Sequence, residues 1–522
     1  MSKKTDLLLL AALIFFSLYC ALTVGETWDQ KDNLIRGKIT LDYLFSLGRV
    51  ESDILYRENY STIYWSLIYF ISEIFPAQYE IQITNLVNLT FSISTIFGIK
   101  KLCKELFNNK VGKITFLILF FTPIFFGHMF FNTKDTILAF SHVWIFYFLI
   151  RYLKKQNVND KRNRYTLYLG VLAALSTGIQ LVFLGSLFPI ILFFIIEIFF
   201  IKKIINENFS VKKLIYDVIK SFLFFYILLI IFWIDVHPNI FILPYEIISK
   251  TFSADFLTGW QYNLVNGKYY LASEVPKSYI FLNLFFKSPE YVLILYVLFF
   301  LFFFNTKEFF RKKIIFFNYK MLLIFFILLF PNIVLFIIPY PIYDGMRLFL
   351  WSLPYFCIIP GITLYYLFEN SNLVSSKIYL SIIVFSGIFF LYNFFAMTPY
   401  QYTYLNSLNG KASNGFNKFE NDYWGSSIKE LVNKSYFNKE EIIKISTCGT
   451  NYAIVKKYFK KEGYTKIEFV HPEKSNYILM TNRSFFDKKT ELVSNCFNVF
   501  KGKDIFKVQR NGLILSVIRE IN

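Results

Sequence analysis

Charge is scarce in this chain. Only 17% of its 522 residues are charged, where soluble proteins carry about 25%. A soluble protein of this length cannot hide so much apolar surface, which excludes a cytosolic enzyme and a disordered protein. Cysteine is sparse too, with five in all, which excludes a disulfide scaffold. No CxxC or HxxxH pair exists, so no zinc motif can be read. There is no internal repeat, low-complexity linker, heptad or glycine-rich phosphate loop. Acids are outnumbered, 36 against 55 Lys and Arg, for a net charge of +19. In a soluble protein that excess would suggest nucleic acid. Here the bases sit in short loops between apolar runs, where they set membrane orientation, and no nucleic-acid partner is expected.

What the chain has is apolar length. Hydrophobic types make up 55%, with 66 Phe and 37 Tyr, and the mean hydropathy is +0.44. A membrane span needs about 20 mostly apolar residues. Eleven runs qualify: 7–24, 81–99, 114–131, 136–152, 165–178, 180–201, 217–234, 290–305, 320–339, 347–367 and 377–396. The fifth and sixth are nearly continuous and break at Ser176-Thr177-Gly178, as in a helical hairpin. Lys3 and Lys4 before the first run resemble a signal peptide. No small-residue cleavage site follows, so an uncleaved first helix is the better reading.

Orientation follows from the short loops. With the N-terminus inside, the inner loops carry Lys100, Lys101, Lys104, Lys110 and Lys113, then Arg151, Lys154, Lys155, Lys161, Arg162 and Arg164. Later inner loops carry Lys202, Lys203, Lys212 and Lys213, then Lys307, Arg311, Lys312 and Lys313. The first outer loop, 25–80, holds nine acids and five bases. This is the positive-inside pattern. It places 25–80, the long loop 235–289 and the tail 397–522 together outside, on the surface of a membrane read as the bacterial inner membrane. The expected fold is therefore an α-helical polytopic membrane domain, residues 1–396, with an α/β extracytoplasmic domain, 397–522. Within the first loop, Ile39–Leu47 and Ile63–Phe75 read as helices lying in the interface. In the tail, Ile443–Cys448, Lys466–Val470, Tyr477–Thr481 and Leu513–Ile518 read as strands, and Asn451–Glu462 as a helix. Cys448 and Cys496 are the tail's two cysteines. An oxidising compartment permits a disulfide, but the sequence fixes no distance between them.

Ionisable residues at the membrane's outer edge are expensive and so informative. Four clusters stand there. The first, Glu26-Thr27-Trp28-Asp29-Gln30-Lys31-Asp32, follows the first run; it reads as solvated loop charge, or as a general base or metal-binding carboxylate. The second is Gly127-His128-Met129-Phe130-Phe131-Asn132-Thr133-Lys134-Asp135. Asn132 or Thr133 can cap the next helix, with Asp135 in its first turn. A lone histidine such as His128 is more often structural. The third is Tyr340-Pro341-Ile342-Tyr343-Asp344-Gly345-Met346-Arg347. Arg347 reads either as a two-pronged phosphate ligand or as a snorkelling arginine paired with Asp344. The fourth, Pro399–Asn406 with Glu420–Gly425, alternates aromatic and polar residues, as an interfacial belt does and equally as a sugar-stacking surface does.

Together these clusters resemble the GT-C superfamily of integral-membrane glycosyltransferases: an acidic turn after span one, an outer loop with interfacial helices, and a second Asp opening span four. Within it, glycosyltransferase family 39 is most similar, which includes protein O-mannosyltransferases and the lipid A aminoarabinose transferase. Tyr64-Trp65-Ser66-Leu67-Ile68-Tyr69 with Tyr79-Glu80-Ile81-Gln82 resembles that family's passage into span two, and Asn132-Thr133-Lys134-Asp135 an N-P-K-D variant. The resemblance implies a polyprenyl-phosphate sugar donor used on the outer face. It implies that Asp29 and Asp135 are the catalytic pair, and that the acceptor is a lipid, glycan or protein. Many members carry Asp-Glu in the first motif, whereas Gln30 follows Asp29 here. A divalent metal ion, if one is used, then lacks that ligand, which Glu26 or Asp32 would have to replace. The expected reaction is an inverting transfer with Asp29 as base. Glu26, Lys134, His128, Tyr343, Asp344 and Arg347 bind substrate, and Arg347 with Lys134 balances the leaving phosphate. A transporter or flippase of lipid-linked saccharides predicts repeats or Gly/Pro-broken helices at midplane, and a polymerase or ligase predicts several outer-loop arginines instead of an acidic first turn.

Overall fold

The computed structural model describes residues 3–49, 61–252, 261–338, 340–487 and 491–521, so parts of the loops 25–80 and 235–289 lie outside the described residues. The expected helical membrane architecture is borne out, with a difference in how the spans are built. Among the described residues, seven helices are long and apolar enough to cross a membrane: Lys4–Thr23, Ala77–Leu106, Asp135–Lys155, Val211–Phe232, Phe317–Ile337, Arg347–Glu369 and Val374–Ala396.

The other four apolar runs are helical but interrupted or polar-ended. Residues 114–131 divide into Asn109–Phe120 and Pro123–His128, because Pro123 has no N–H to continue the first helix and suits the first turn of a new one. The run 165–178 lies in Asn159–Ile179, whose start is charged. The run 180–201 is broken into Phe183–Ser186, Phe188–Ile196 and a π turn at Glu197–Ile201. Pro289 separates Tyr279–Lys287 from Glu290–Leu301, which meet at 118° and count as an eighth span only when joined.

Phenylalanine fills the contacts between helices. Phe16, Phe126 and Phe394 bring Lys3–Thr23, Pro123–His128 and Val374–Ala396 together, with ring centroids 5.4 Å (Phe16–Phe126) and 5.1 Å (Phe126–Phe394) apart. Two glycines permit backbone contact that any side chain would block. A Cβ on Gly37 would lie 2.3 Å from the Trp65 carbonyl oxygen, and one on Gly127 would lie 2.2 Å from the Tyr402 nitrogen. The first contact packs helix Gln30–Phe45 on Ile63–Ser72. The second seats the start of the tail on the membrane domain.

The two ends of the helical bundle differ in kind. At one end the short basic loops are tied by surface ion pairs: Lys110 and Lys313 to Glu369 (2.6 and 2.9 Å), Arg151 and Lys154 to Glu105 (2.7 and 2.9 Å), and Lys113 to Asp6. At the other end the first loop, the long loop and the tail interlock. Residues Tyr262–Val265 and Lys268–Leu271 form a hairpin, which continues by a bridge from Val265 to Phe419 of the tail. Asn263 donates to the Ile342 carbonyl at 2.7 Å, and the Trp28 N–H donates to the Trp424 carbonyl at 3.3 Å.

The tail carries a five-stranded sheet in the order Ile467–Phe469, Ile443–Cys448, Tyr477–Thr481, Leu513–Glu520, Lys503–Arg510. The first two pairings are parallel and the last two antiparallel. Helix Tyr452–Lys461 makes the crossover between the first parallel pair. Strand Lys503–Arg510 and the hairpin Ser484–Asp487/Leu492–Asn495 were not expected. Cys448 and Cys496 are joined by a disulfide, and Cys20, Cys103 and Cys357 are free and buried.

Candidate active site

At the end of the bundle where the first loop and the tail meet lies a cavity of about 420 Å³. Its lining is drawn from the first loop (Trp28, Asp29, Asp32, Arg36, Trp65), the second cluster (Lys134), the loop before Arg347 (Tyr343, Asp344) and the tail (Tyr423, Trp424, Arg483).

Asp29 precedes helix Gln30–Phe45 at the position where an Asp side chain normally caps the first turn, yet it makes no capping bond. Its carboxylate accepts from Arg347 Nη2 at 3.2 Å and remains 34% exposed. Gln30 turns the other way. Its side chain accepts from the Thr27 N–H and donates to Asn85 at 2.6 Å. The residue after Asp29 therefore anchors the loop to helix Glu80–Leu106. A neutral amide suits that buried, doubly bonded place better than a carboxylate would.

Arg347 is the hub. Its guanidinium donates from Nε to Asp135 at 2.9 Å, from Nη1 to Asp344 at 2.8 Å and from Nη2 to Asp29. It lies 4.6 Å from the Trp424 ring and 5.6 Å from that of Tyr343. With its side chain only 7% exposed, the arginine has three of its five N–H groups committed. The pairing of Arg347 with Asp344 read from the sequence is present, and the guanidinium holds two further carboxylates besides.

Asp135 was expected beside Asp29 as half of the catalytic pair. Instead it lies one layer behind: its side chain is 1% exposed and it is absent from the lining. Asn132 places it, because the Asn132 side-chain carbonyl accepts from the Lys134 and Asp135 N–H groups and its amide donates to Asp135 Oδ2 at 3.0 Å. Of the two proposed caps, Asn132 is the one that closes the turn. The turn is also held from both sides. Trp65 Nε1 donates to the Thr133 carbonyl and Asn33 to the Thr133 hydroxyl, each at 3.1 Å. Asn88 donates to the carbonyls of Met129 and Asn132.

Lys134, Tyr343 and Asp344 line the cavity, as does Arg347. His128 and Glu26 do not. His128 is buried and bonds the Tyr423 hydroxyl at 2.8 Å and the Asn132 amide at 3.3 Å, so it supports the wall from behind. Glu26 points toward the tail helix, where Lys457 donates to it. Asp32 does line the cavity, and burial, reinforced by the neighbouring Asp29 charge, pushes its carboxyl up.

Sequence reasoning missed Arg483. From the tail it donates to Asp344 Oδ1 at 2.8 Å and to the Tyr423 carbonyl, and lies 5.7 Å from the Trp28 ring. Asp344 thus sits between two arginines. No local signal marks Arg483, which stands alone in a tail with many exposed bases. Asn85 and Asn88 were also missed. With Thr84, Ser92 and Thr95 they form a buried polar stripe on one face of an apolar span, a spacing that is readable in the sequence.

The arrangement does not fit a divalent metal. Asp29, Asp135 and Asp344 converge on a guanidinium rather than on a common point. Among the described residues no group of three or more His, Cys, Asp or Glu side chains forms a metal cage.

Residues 63–232 match the family described as dolichyl-phosphate-mannose-protein mannosyltransferase. That segment contains His128, Lys134 and Asp135 and ends before Arg347. No curated protein matches the chain by sequence. Similar solved structures include ArnT from Cupriavidus metallidurans, in the apo state and bound to undecaprenyl phosphate. Both are 11% identical with a TM-score of 0.49, covering 99% of this chain and 98% of that one. The oligosaccharyltransferase of Archaeoglobus fulgidus is 10% identical with a TM-score of 0.48, covering 89% of this chain and 65% of that one.

Proposed function

We propose that this chain is a membrane glycosyltransferase of the GT-C type that transfers a sugar from a polyprenyl-phosphate donor to a hydroxyl acceptor on the outer face of a membrane, a reading supported by the family match of residues 63–232. The carrying observation is the cavity in which a partly exposed carboxylate, Asp29, lies against a buried guanidinium, Arg347. Asp29 takes the acceptor proton as the hydroxyl oxygen attacks the anomeric carbon. The bond from that carbon to the phosphate oxygen breaks on the opposite side, so configuration inverts, and polyprenyl phosphate leaves with the bonding pair. A base so placed contributes about 10²–10⁴-fold in rate.

The lining charges suit this substrate. Arg36, Lys134, Arg347 and Arg483 stand against Asp29, Asp32 and Asp344, a surplus of one positive charge where a leaving phosphate gathers negative charge. Arg347 keeps two N–H groups beyond its three carboxylate bonds. Asp135 acts as a positioning residue, because it holds the Nε side of Arg347 without reaching the cavity. Trp28, Trp65, Tyr343 and Trp424 give the cavity aromatic walls for a sugar ring.

The test uses the purified protein in phospholipid vesicles with a panel of polyprenyl-phosphate hexoses and pentoses, following release of polyprenyl phosphate. Turnover should appear with one of them and collapse in Asp29→Asn. Undiminished turnover in that variant would remove Asp29 from the mechanism. Single-cysteine variants in 25–49 and in the tail should react with a membrane-impermeant thiol reagent added from outside intact cells. Reaction only after permeabilisation would place the chemistry on the opposite face.

A further inference from the structure

The tail does more than cover the cavity: one of its residues is bonded into the charge cluster, and a covalent link lies directly behind that residue. Arg483 follows strand Tyr477–Thr481 in the chain, and its carbonyl accepts from the Cys496 N–H at 3.0 Å. Cys496 is disulfide-bonded to Cys448, at the end of the neighbouring strand Ile443–Cys448. The packing behind the arginine is tight. A Cβ on Gly449 would lie 2.9 Å from Arg483 Cβ and 3.2 Å from the Cys496 sulfur. Thr481 closes the same corner by donating to the Gly449 carbonyl at 2.7 Å.

From this corner a continuous chain of contacts runs inward. Arg483 Nη2 bonds Asp344 Oδ1, Asp344 Oδ2 bonds Arg347 Nη1, and Arg347 Nη2 bonds Asp29. Asp344 needs such support. It has a positive φ of 59°, as does the following Gly345 at 64°, a left-handed turn that a non-glycine residue holds only when its surroundings fix it. Arg483 Nη1 also donates to the Tyr423 carbonyl, next to Trp424, whose ring covers Arg347.

We propose that Arg483, held by the Cys448–Cys496 disulfide, is a positioning residue for the transfer reaction: it fixes Asp344 and thereby the Arg347 guanidinium against Asp29. Transfer activity then depends on the oxidation state of a disulfide tied to the cavity lining through Arg483. Reduction by an added dithiol yields two cysteine thiols and the oxidised dithiol, and it frees the corner that carries Arg483. The proposal rests on the transferase reading for its kinetic arm only.

Two measurements on the full-length protein in vesicles or detergent test it. Amide hydrogen exchange over residues 343–347 needs no turnover. Exchange should rise in Arg483→Ala and in the double variant Cys448→Ser/Cys496→Ser, and stay at the wild-type level in Lys474→Ala, an exposed tail change. Unaltered exchange in both site variants overturns the proposal whatever the reaction is. In the kinetic arm, Arg483→Ala should lower kcat by about 10²-fold, the scale on which a misplacement of about 1 Å acts, with a smaller change in KM for the donor. Arg483→Lys keeps the charge and one of the two bonds and should recover part of kcat. A loss of folded protein with kcat per folded molecule unchanged would show Arg483 to be structural only, and would overturn it. Absence of turnover in the wild type would refute the transferase reading and leave the exchange result to decide this one.

Discussion

The two ends of the helical bundle use charge in opposite ways. At the basic-loop end, Lys110, Lys313 and Glu369, or Lys113 and Asp6, meet at the surface as solvated pairs. At the other end, Arg347, Asp135 and Asp344 are buried together, and of the four charges only Asp29 is substantially exposed. Charge is cheap in water and costly out of it. The first set can be rearranged at little cost and suits a role in orientation. The second persists only because each carboxylate meets the guanidinium at hydrogen-bond distance, and such preorganised charge is what stabilises a transition state. If this contrast is right, equal substitutions at the two ends must have very unequal effects.

Asp29→Asn should have the largest effect on rate. The side chain keeps its size and an oxygen that can accept from Arg347, and loses its basicity with its charge. Turnover should fall about 10²–10⁴-fold, while the thermal denaturation midpoint and binding of polyprenyl phosphate change little. Arg347→Ala should instead damage both rate and fold. It leaves three carboxylates without their common partner, at a cost of about 3–5 kcal/mol for breaking a buried charge arrangement. Denaturation of the detergent-solubilised protein measures it, and a loss no greater than at the basic-loop end would erase the contrast.

A pH effect sharpens the comparison. Glu420, in the tail beside the cluster, is buried, and burial pushes its carboxyl from 4.5 up to about 7, with Asp344 adding and Arg483 opposing. The folded protein therefore holds a proton that the unfolded chain releases between about pH 4.5 and 7. With more protons bound in the native state, stability falls as pH rises through this window. Glu420→Gln should flatten that slope. A denaturation midpoint that depends on pH as in the wild type would show that Glu420 is not the group responsible.

Much of this was legible in the sequence, for physical reasons. Apolar length and loop charge gave the helical class, and alternation gave the strands Ile443–Cys448 and Tyr477–Thr481 to the residue. Breaks were harder, because hydropathy does not register where Pro123 or Pro289 turns the chain. Asp29 and Arg347 stood out as charges at the ends of apolar runs, and the structure brings them within 3.2 Å. Asp135 was visible for the same reason, but its depth behind the wall was not, since depth depends on which helix lies in front. Arg483 was invisible because it reaches the cavity through a tertiary contact 139 residues away from its partner Asp344. Glu26 looked like part of the acidic turn, and only the position of Lys457 assigns it to the tail contact.

The smallest effect is expected at the basic-loop end, and it is the strictest check on the comparison. Glu369 accepts from both Lys110 and Lys313, which are well exposed. Ion pairs of this kind gain little, because water competes for both partners, ordering two long side chains costs entropy, and salt screens the remainder. Glu369→Gln should therefore leave turnover unchanged and shift the denaturation midpoint only slightly. Any shift should shrink as salt is raised, because screening already weakens the pair in the wild type. The substitution removes an acid from the basic-loop side, so it strengthens rather than reverses the loop charge asymmetry on which the positive-inside rule depends. Topology should be untouched, with an impermeant thiol reagent labelling the same single-cysteine positions as before. A large loss of turnover in Glu369→Gln would mean that the two ends are coupled through the helices, and the separation between an orienting end and a reacting end would fail.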